Sequence, residues 1–252
     1  MDADVVRQLW TAYRERPVDQ TLHPHDYMYN MAVNGWTDYE AVGRSAMQII
    51  ASALISGPSY HVTRIMDFGC GHGRVARHLR SFFPNGELFF SDIDPTCLEF
   101  CSQQFGGRSV PSCEDFGSLN LPNDLDLIWV GSVFTHLDYR RMVALFDALA
   151  GALRMRGTLV ATFRGAFMYR KMKSEKDPNQ QQRWKSLLDQ YEAGGIGYAP
   201  YNGDKRDWGL SLSSVEHVVG IGRRHSRLRL INYTEVGWAA VHDVAGWAVS
   251  PA

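Results

Sequence analysis

A short apolar strand that runs directly into three alternate glycines constrains this chain more than any other feature. The run is Arg64-Ile-Met-Asp-Phe-Gly-Cys-Gly-His-Gly73, followed by a predicted helix from Arg74 to Phe83. Glycines lack a Cβ, so the main chain can turn sharply there and come close to a ligand. The helix start beyond the turn offers unpaired N–H groups and a partial positive charge. A second predicted strand, 87–91, ends in Asp92. Strand, turn, helix and strand in this order belong to an α/β fold with a parallel sheet.

The spacing of the glycines selects among nucleotide-like cofactors. The dinucleotide fingerprint is Gly-x-Gly-x-x-Gly, whereas this chain has Gly69-x-Gly71-x-Gly73 with Arg74 where the third dinucleotide glycine would fall. Asp67, two residues before the turn, puts negative charge where a pyrophosphate would lie. It suits a cofactor that brings an ammonium group. In this combination, Asp67, the three glycines and Asp92 resemble the class I S-adenosylmethionine-dependent methyltransferases, of the bacterial small-molecule or glycan-associated type.

The resemblance implies a Rossmann-like, seven-stranded, mostly parallel sheet with one antiparallel strand, helices on both faces and an N-terminal helical cap. The cap occupies residues 1–60, with predicted helices 4–16 and 38–54; Thr37 and Glu40 form a capping box for the second. The cofactor-binding domain runs from 61 to 252. Within it, further strands are expected near 108–113, at 126–130 and at 157–163. A polar segment after Arg170, then a glycine- and tyrosine-rich stretch 194–203, reads as an insertion or lid over 169–210. Ser213 and Glu216 cap a final helix, and closing strands 228–235 and 240–249 form an antiparallel hairpin at a sheet edge.

Ligands in such sheets bind beyond the carboxyl ends of the strands. The resemblance therefore implies cofactor contacts from Asp67, Gly69, Cys70, Gly71 and Gly73, and from Asp92 and Ile93, where Asp92 accepts both ribose hydroxyls. After the third strand, either Glu114 or Asp115 takes the adenine amino group, with Asp115 preferred and Phe116 against the ring. Gly131 and Ser132, after the fourth strand, line the cofactor cleft. Asp126 is read as structural. His136 and His242 are the candidate bases, because imidazole titrates near working pH; His242 and Asp243 are placed at the site mouth.

The expected cofactor is S-adenosyl-L-methionine, without a metal, and the expected acceptor is a small-molecule or glycan hydroxyl. The run His23-Pro-His25-Asp26-x-Met28 and the run from Glu235 to Asp243 carry the glycan-associated part of the resemblance. The segment after the fourth strand is Gly131-Ser-Val-Phe134, not the Asn/Asp-Pro-Pro-Tyr/Phe motif of enzymes that methylate base amines or protein glutamine. A protein or nucleic-acid methyltransferase and a non-catalytic cofactor-binding module are the alternatives. The formal net charge of −1 over 252 residues gives no attraction for nucleic acid. Four cysteines without a metal-ligand pattern read as reduced thiols of a cytoplasmic protein, and no apolar run predicts membrane insertion. A homodimer is a further expectation.

Overall fold

The computed structural model describes residues 2–58, 61–201 and 208–250. Helices α1 (Ala3–Glu15), α2 (Tyr27–Asn30) and α3 (Trp36–Ser56) precede the sheet. Then come β1 (Arg64–Phe68), α4 (Ala76–Phe82), β2 (Glu87–Asp92), α5 (Pro95–Phe105), β3 (Arg108–Pro111), β4 (Leu125–Val130), α6 (Tyr139–Ala152) and β5 (Leu153–Phe163). The remainder comprises α7 (Ala166–Lys173), α8 (Pro178–Gly194), β6 (Ile196–Pro200), β7 (Gly209–Ser213), α9 (Val215–Arg223), β8 (Leu228–Trp238) and β9 (His242–Val249).

The main sheet has seven strands in the order β3-β2-β1-β4-β5-β9-β8. Strands β1 to β5 pair in parallel, and β9 runs antiparallel to both neighbours. This is the sheet the sequence led us to expect. All six residues of β4 are buried, as a parallel strand covered on both faces requires. Side chains alternate between the faces. Ile65, Leu127 and Trp129 join the core under α3, α4 and α5, while Met66, Ile128 and Val130 join the core under α6 and α9. Asp126 ties the start of β1 to β4, accepting from the Thr63 and Arg64 amides at 2.8 and 2.9 Å.

Residues of the N-terminal helices share this core: Val6, Tyr13, Met47 and Ile50 pack in one cluster with Leu79 and Phe82 of α4. Several local expectations need correction. Helix α3 starts at Trp36, with Gly35 as its cap, so Thr37 and Glu40 lie inside the first turn and form no capping box. Asp38 instead accepts from the Asn34 amide at 2.9 Å. Ser214, not Ser213, caps α9; Ser213 is the last residue of β7. The helix after the glycine turn begins at Ala76, two residues later than expected.

The expected insertion is ordered as α7, α8 and the hairpin β6–β7, with a small core of Met172, Leu187 and Leu212. Part of its glycine- and tyrosine-rich stretch, 202–203, lies outside the described residues. The hairpin seats on the main domain through backbone: the Ser213 amide donates to the Arg164 carbonyl at 2.8 Å. Among the described residues no helix is long and apolar enough to cross a membrane.

Candidate active site

The turn after β1 is fixed from the neighbouring strand. The amides of Gly69 and Cys70 both donate to the Ser91 carbonyl, at 2.7 and 3.0 Å, and the Gly71 amide donates to Asp92 Oδ2 at 2.9 Å. The three glycines have φ of +78°, +50° and +81°, in the left-handed region that favours glycine. Their side-chain-free positions serve different ends. A Cβ on Gly73 would lie 2.2 Å from Phe105 Cε2, so this glycine permits close packing of α5. A Cβ on Gly71 would meet nothing within 4 Å, because it would project into the cleft.

That cleft is a cavity of about 360 Å³ beyond the carboxyl ends of β1, β2 and β4. Asp67, Gly69, Cys70 and Gly71 form one side of it, and Asp92 and Ile93 another. Gly131 and Ser132 border it after β4, and His136 borders it beyond them. A recess of about 40 Å³ shares Gly69, Asp92 and Ile93 with the cleft and continues to Glu114 and Phe116. Gly73 does not reach the wall. Nor does Asp115, whose carboxylate accepts from the Gly117 amide at 3.1 Å and caps the short turn 116–118. Glu114 borders the recess in its place.

Asp67 is 2% exposed and its Oδ2 has no hydrogen-bond partner. Burial, and then the nearby Asp92 carboxylate, push its pKa up to about 7, while Arg74 acts in the opposite direction. An unpartnered carboxyl held at the wall of a cavity is a receptor for a cation. Asp92 uses its other oxygen, Oδ1, to accept from the Asp94 amide at 3.0 Å.

His136 closes a short turn, 134–136, after β4. Its Nδ1 lies 3.0 Å from the Gly209 carbonyl oxygen and 2.9 Å from the Tyr201 hydroxyl. A carbonyl only accepts, so Nδ1 carries the proton and Nε2 the lone pair. Burial and then Arg164 push the pKa of this imidazole down to about 4, so the ring is neutral near pH 7. The Trp208 ring stacks on it at 5.7 Å.

His242 is not at the site mouth. It is 5% exposed, stacks on Trp238 at 5.5 Å and does not border the cavity, which the Trp238 indole borders instead. The bend between β8 and β9 folds it inward, where burial pushes its pKa down to about 3. Both of its ring nitrogens lack partners. Asp243 is likewise turned inward, accepting from the Tyr233 hydroxyl and, at 2.9 Å, from the Val236 amide.

Several wall residues were not assigned from the sequence. Trp129, Trp208 and Trp238 make the cavity strongly aromatic, and Arg74 also borders it. Tyr27 and Met28, from the early run already noted, close it from the N-terminal side. Period-two alternation of β4 places Trp129 beside Leu127 on one face, but nothing in the sequence marks that face as also being a cavity floor. Among the described residues, no group of three or more His, Cys, Asp or Glu side chains is arranged to hold a metal.

Residues 66–159 match a family model described as "Methyltransferase domain". No curated protein matches the sequence. Among solved structures, the chain is similar to an S-adenosylmethionine-dependent methyltransferase from Clostridium acetobutylicum, with 13% identity, TM-score 0.57, and 89% of this chain and 97% of that one covered. It is similar to the Burkholderia thailandensis 1,6-didemethyltoxoflavin-N1-methyltransferase, solved with 1,6-didemethyltoxoflavin and S-adenosylhomocysteine bound (15% identity, TM-score 0.56, coverage 93% and 94%). The mitomycin 7-O-methyltransferase is a third, at 15% identity and TM-score 0.54, with 96% of this chain covering 60% of that one.

Proposed function

We propose that this chain, a class I methyltransferase by fold, transfers the methyl group of S-adenosyl-L-methionine to a small-molecule acceptor, glycan hydroxyls included. The observation that carries this reading is the buried Asp67 carboxyl, without a partner at Oδ2, beside a glycine turn that leaves open space at Gly71. An ammonium group satisfies Asp67, and two ribose hydroxyls suit Asp92, whose oxygens already fix the turn from the side. The recess at Phe116 and Glu114 offers a ring face and an acceptor for an exocyclic amine. These groups fit the nucleoside in charge and in order along the wall.

The cofactor supplies an electrophilic methyl on a sulfonium, so the protein needs to align the acceptor more than to activate it. Trp129, Trp208 and Trp238 give the cleft an aromatic lining, which disfavours water beside the reacting atoms. His136, neutral and oriented through Nδ1, presents Nε2 as a hydrogen-bond acceptor for the proton of a hydroxyl nucleophile. With a pKa near 4 it orients that proton more effectively than it removes it. His242, behind Trp238, has no direct part in this scheme.

Calorimetric titration with S-adenosylhomocysteine tests the cofactor half, and transfer of labelled methyl to candidate hydroxyl acceptors tests the other. Saturable binding that is weakened in Asp67→Asn is expected. Binding of NAD in place of the sulfonium nucleoside would refute the reading.

A further inference from the structure

The Arg74 side chain borders the cavity together with Asp67, Trp129 and Trp238. Its guanidinium carbon stands 5.4 Å from the centroid of the Trp238 ring. Burial disfavours its charge, and Tyr39, Asp26 and Asp67 act in the opposite direction. Three other inward-facing guanidiniums, those of Arg77, Arg80 and Arg164, donate to main-chain carbonyls. Arg77 donates to the carbonyls of Gly73, Asp19 and Thr21 at 3.0, 2.7 and 3.0 Å. Arg80 donates to those of Phe105, Pro84 and Gly86 at 2.7, 3.0 and 3.0 Å. Arg164 donates to the Thr135 carbonyl at 2.9 Å. Of these four, Arg74 alone has no hydrogen-bond acceptor among the described residues.

Asp26 and Asp67 border the cavity together with Arg74. Arg164 acts on both His136 and His242, and Arg74 acts on His242. Of these groups only Arg74 and His136 border the cavity, and His136 is uncharged at neutral pH. The acidic groups Asp92 and Asp94 border the wall at the end of β2. The carboxyl groups of the wall suit a cationic nucleoside, and the Arg74 guanidinium suits an anionic partner.

We infer that Arg74 receives a carboxylate carried by the methyl acceptor, so that the acceptors of this protein are small organic acids bearing the nucleophile. The planar guanidinium fork matches a carboxylate with two parallel hydrogen bonds. The indole face of Trp238 beneath it keeps the pair shielded on one side. His136 borders the same cavity. The word acceptor rests on the methyl-transfer reading; the anion site at Arg74 does not. The cofactor's own α-carboxylate is the same chemistry from a second source, and the test separates the two.

Calorimetry on the full chain, with and without S-adenosylhomocysteine, compares 4-hydroxybenzoate, indole-3-acetate and glycolate with their amides. We expect at least one acid to bind about tenfold or more tightly than its amide. That preference disappears in Arg74→Met and is partly kept in Arg74→Lys, while S-adenosylhomocysteine, titrated at about pH 8.5 where Asp67 is ionised, binds all three proteins alike. The inference is overturned if no acid is preferred over its amide or if the preference survives Arg74→Met. It is also overturned if Arg74→Met weakens S-adenosylhomocysteine but not its carboxylate-free counterpart, S-adenosyl-3-thiopropylamine, which would assign Arg74 to the cofactor. Thermal unfolding of the ligand-free variants guards against a folding effect: a structural guanidinium lowers the midpoint when removed, a receptor does not. Arg74→Lys carries the comparison if the Met variant fails to fold. If S-adenosylhomocysteine does not bind the wild type, the methyl-transfer reading fails, and the acid–amide comparison without nucleoside still decides the role of Arg74.

Discussion

Asp92 Oδ2 accepts the Gly71 amide at 2.9 Å, which joins the end of β2 to the middle of the turn that follows β1. One carboxylate thereby shapes the cavity wall and contributes to it. Its removal has two separable effects. Asp92→Ala is expected to weaken S-adenosylhomocysteine by about 1–3 kcal/mol through lost charge-assisted hydrogen bonds. Asp92→Asn keeps an oxygen for the Gly71 amide but loses the charge and the acceptor for the Asp94 amide, so calorimetry will place it between Ala and wild type. Equal affinity for all three proteins would remove Asp92 from the site.

The glycines of the turn should respond differently to one added methyl group. Gly71→Ala places a Cβ in open cavity space at φ +50°, a backbone strain of about 1 kcal/mol. Thermal stability then changes little, while nucleoside affinity falls roughly 100-fold, about 2.8 kcal/mol. Gly73→Ala drives a Cβ to 2.2 Å from Phe105, and overpacking with strain costs about 3 kcal/mol of stability. A reversed pattern in calorimetry and melting curves would contradict the assignment of the two positions.

Asp67 makes cofactor affinity depend on pH near neutrality. With its pKa raised to about 7, the carboxyl is largely protonated below that value and cannot hold an ammonium. Affinity is expected to rise as pH increases from 6 to 8, approaching tenfold per unit on the acid side. Asp67→Asn will bind weakly and without this dependence. A flat profile in the wild type would mean that Asp67 does not meet the ammonium.

The buried imidazoles act on folding in the opposite sense. His78, His136 and His242 have pKa values pushed down to about 3, 4 and 3 by burial, with nearby arginines second. Below about pH 6.5 the unfolded chain gains protons that the folded chain refuses, so stability falls as pH drops from 6.5 towards 4. Each histidine contributes up to about 1.4 kcal/mol per pH unit, and Asp67, protonated in the folded state there, offsets one of them. Urea titrations at pH 7 and pH 5 will show the loss, and His242→Phe will reduce it. Equal midpoints at the two pH values would exclude buried neutral imidazoles.

His136→Gln tests the orienting role directly. We expect kcat to fall about tenfold to a hundredfold, with nucleoside affinity retained and kcat of the wild type flat between pH 6 and 8. A wild-type kcat in the variant would leave His136 as packing.

The sheet and one wall of the cleft were legible because their signals are local. An apolar strand, a glycine turn and an acidic residue at the next strand end lie within thirty residues. The region after β5 was harder to read. Helix α8 buries only Leu187, so its sequence shows no apolar stripe and resembles a polar loop. The β6–β7 pair has few β-branched or aromatic residues, and its strand character comes from pairing and from packing on the 134–136 turn. Arg74 was noticed only as the residue that breaks a dinucleotide spacing. Its position against Trp238 depends on β8, more than 150 residues away, and no local pattern encodes that approach.

The hydrogen bond from His136 Nδ1 to the Gly209 carbonyl joins the parent sheet to its appendage. The imidazole follows strand β4 of the main sheet, but its protonation pattern is set by a carbonyl of β7. Grafting a different hairpin onto this scaffold would therefore alter which molecule is admitted and how its proton is held in a single evolutionary step, without disturbing the half of the cleft that surrounds Asp67.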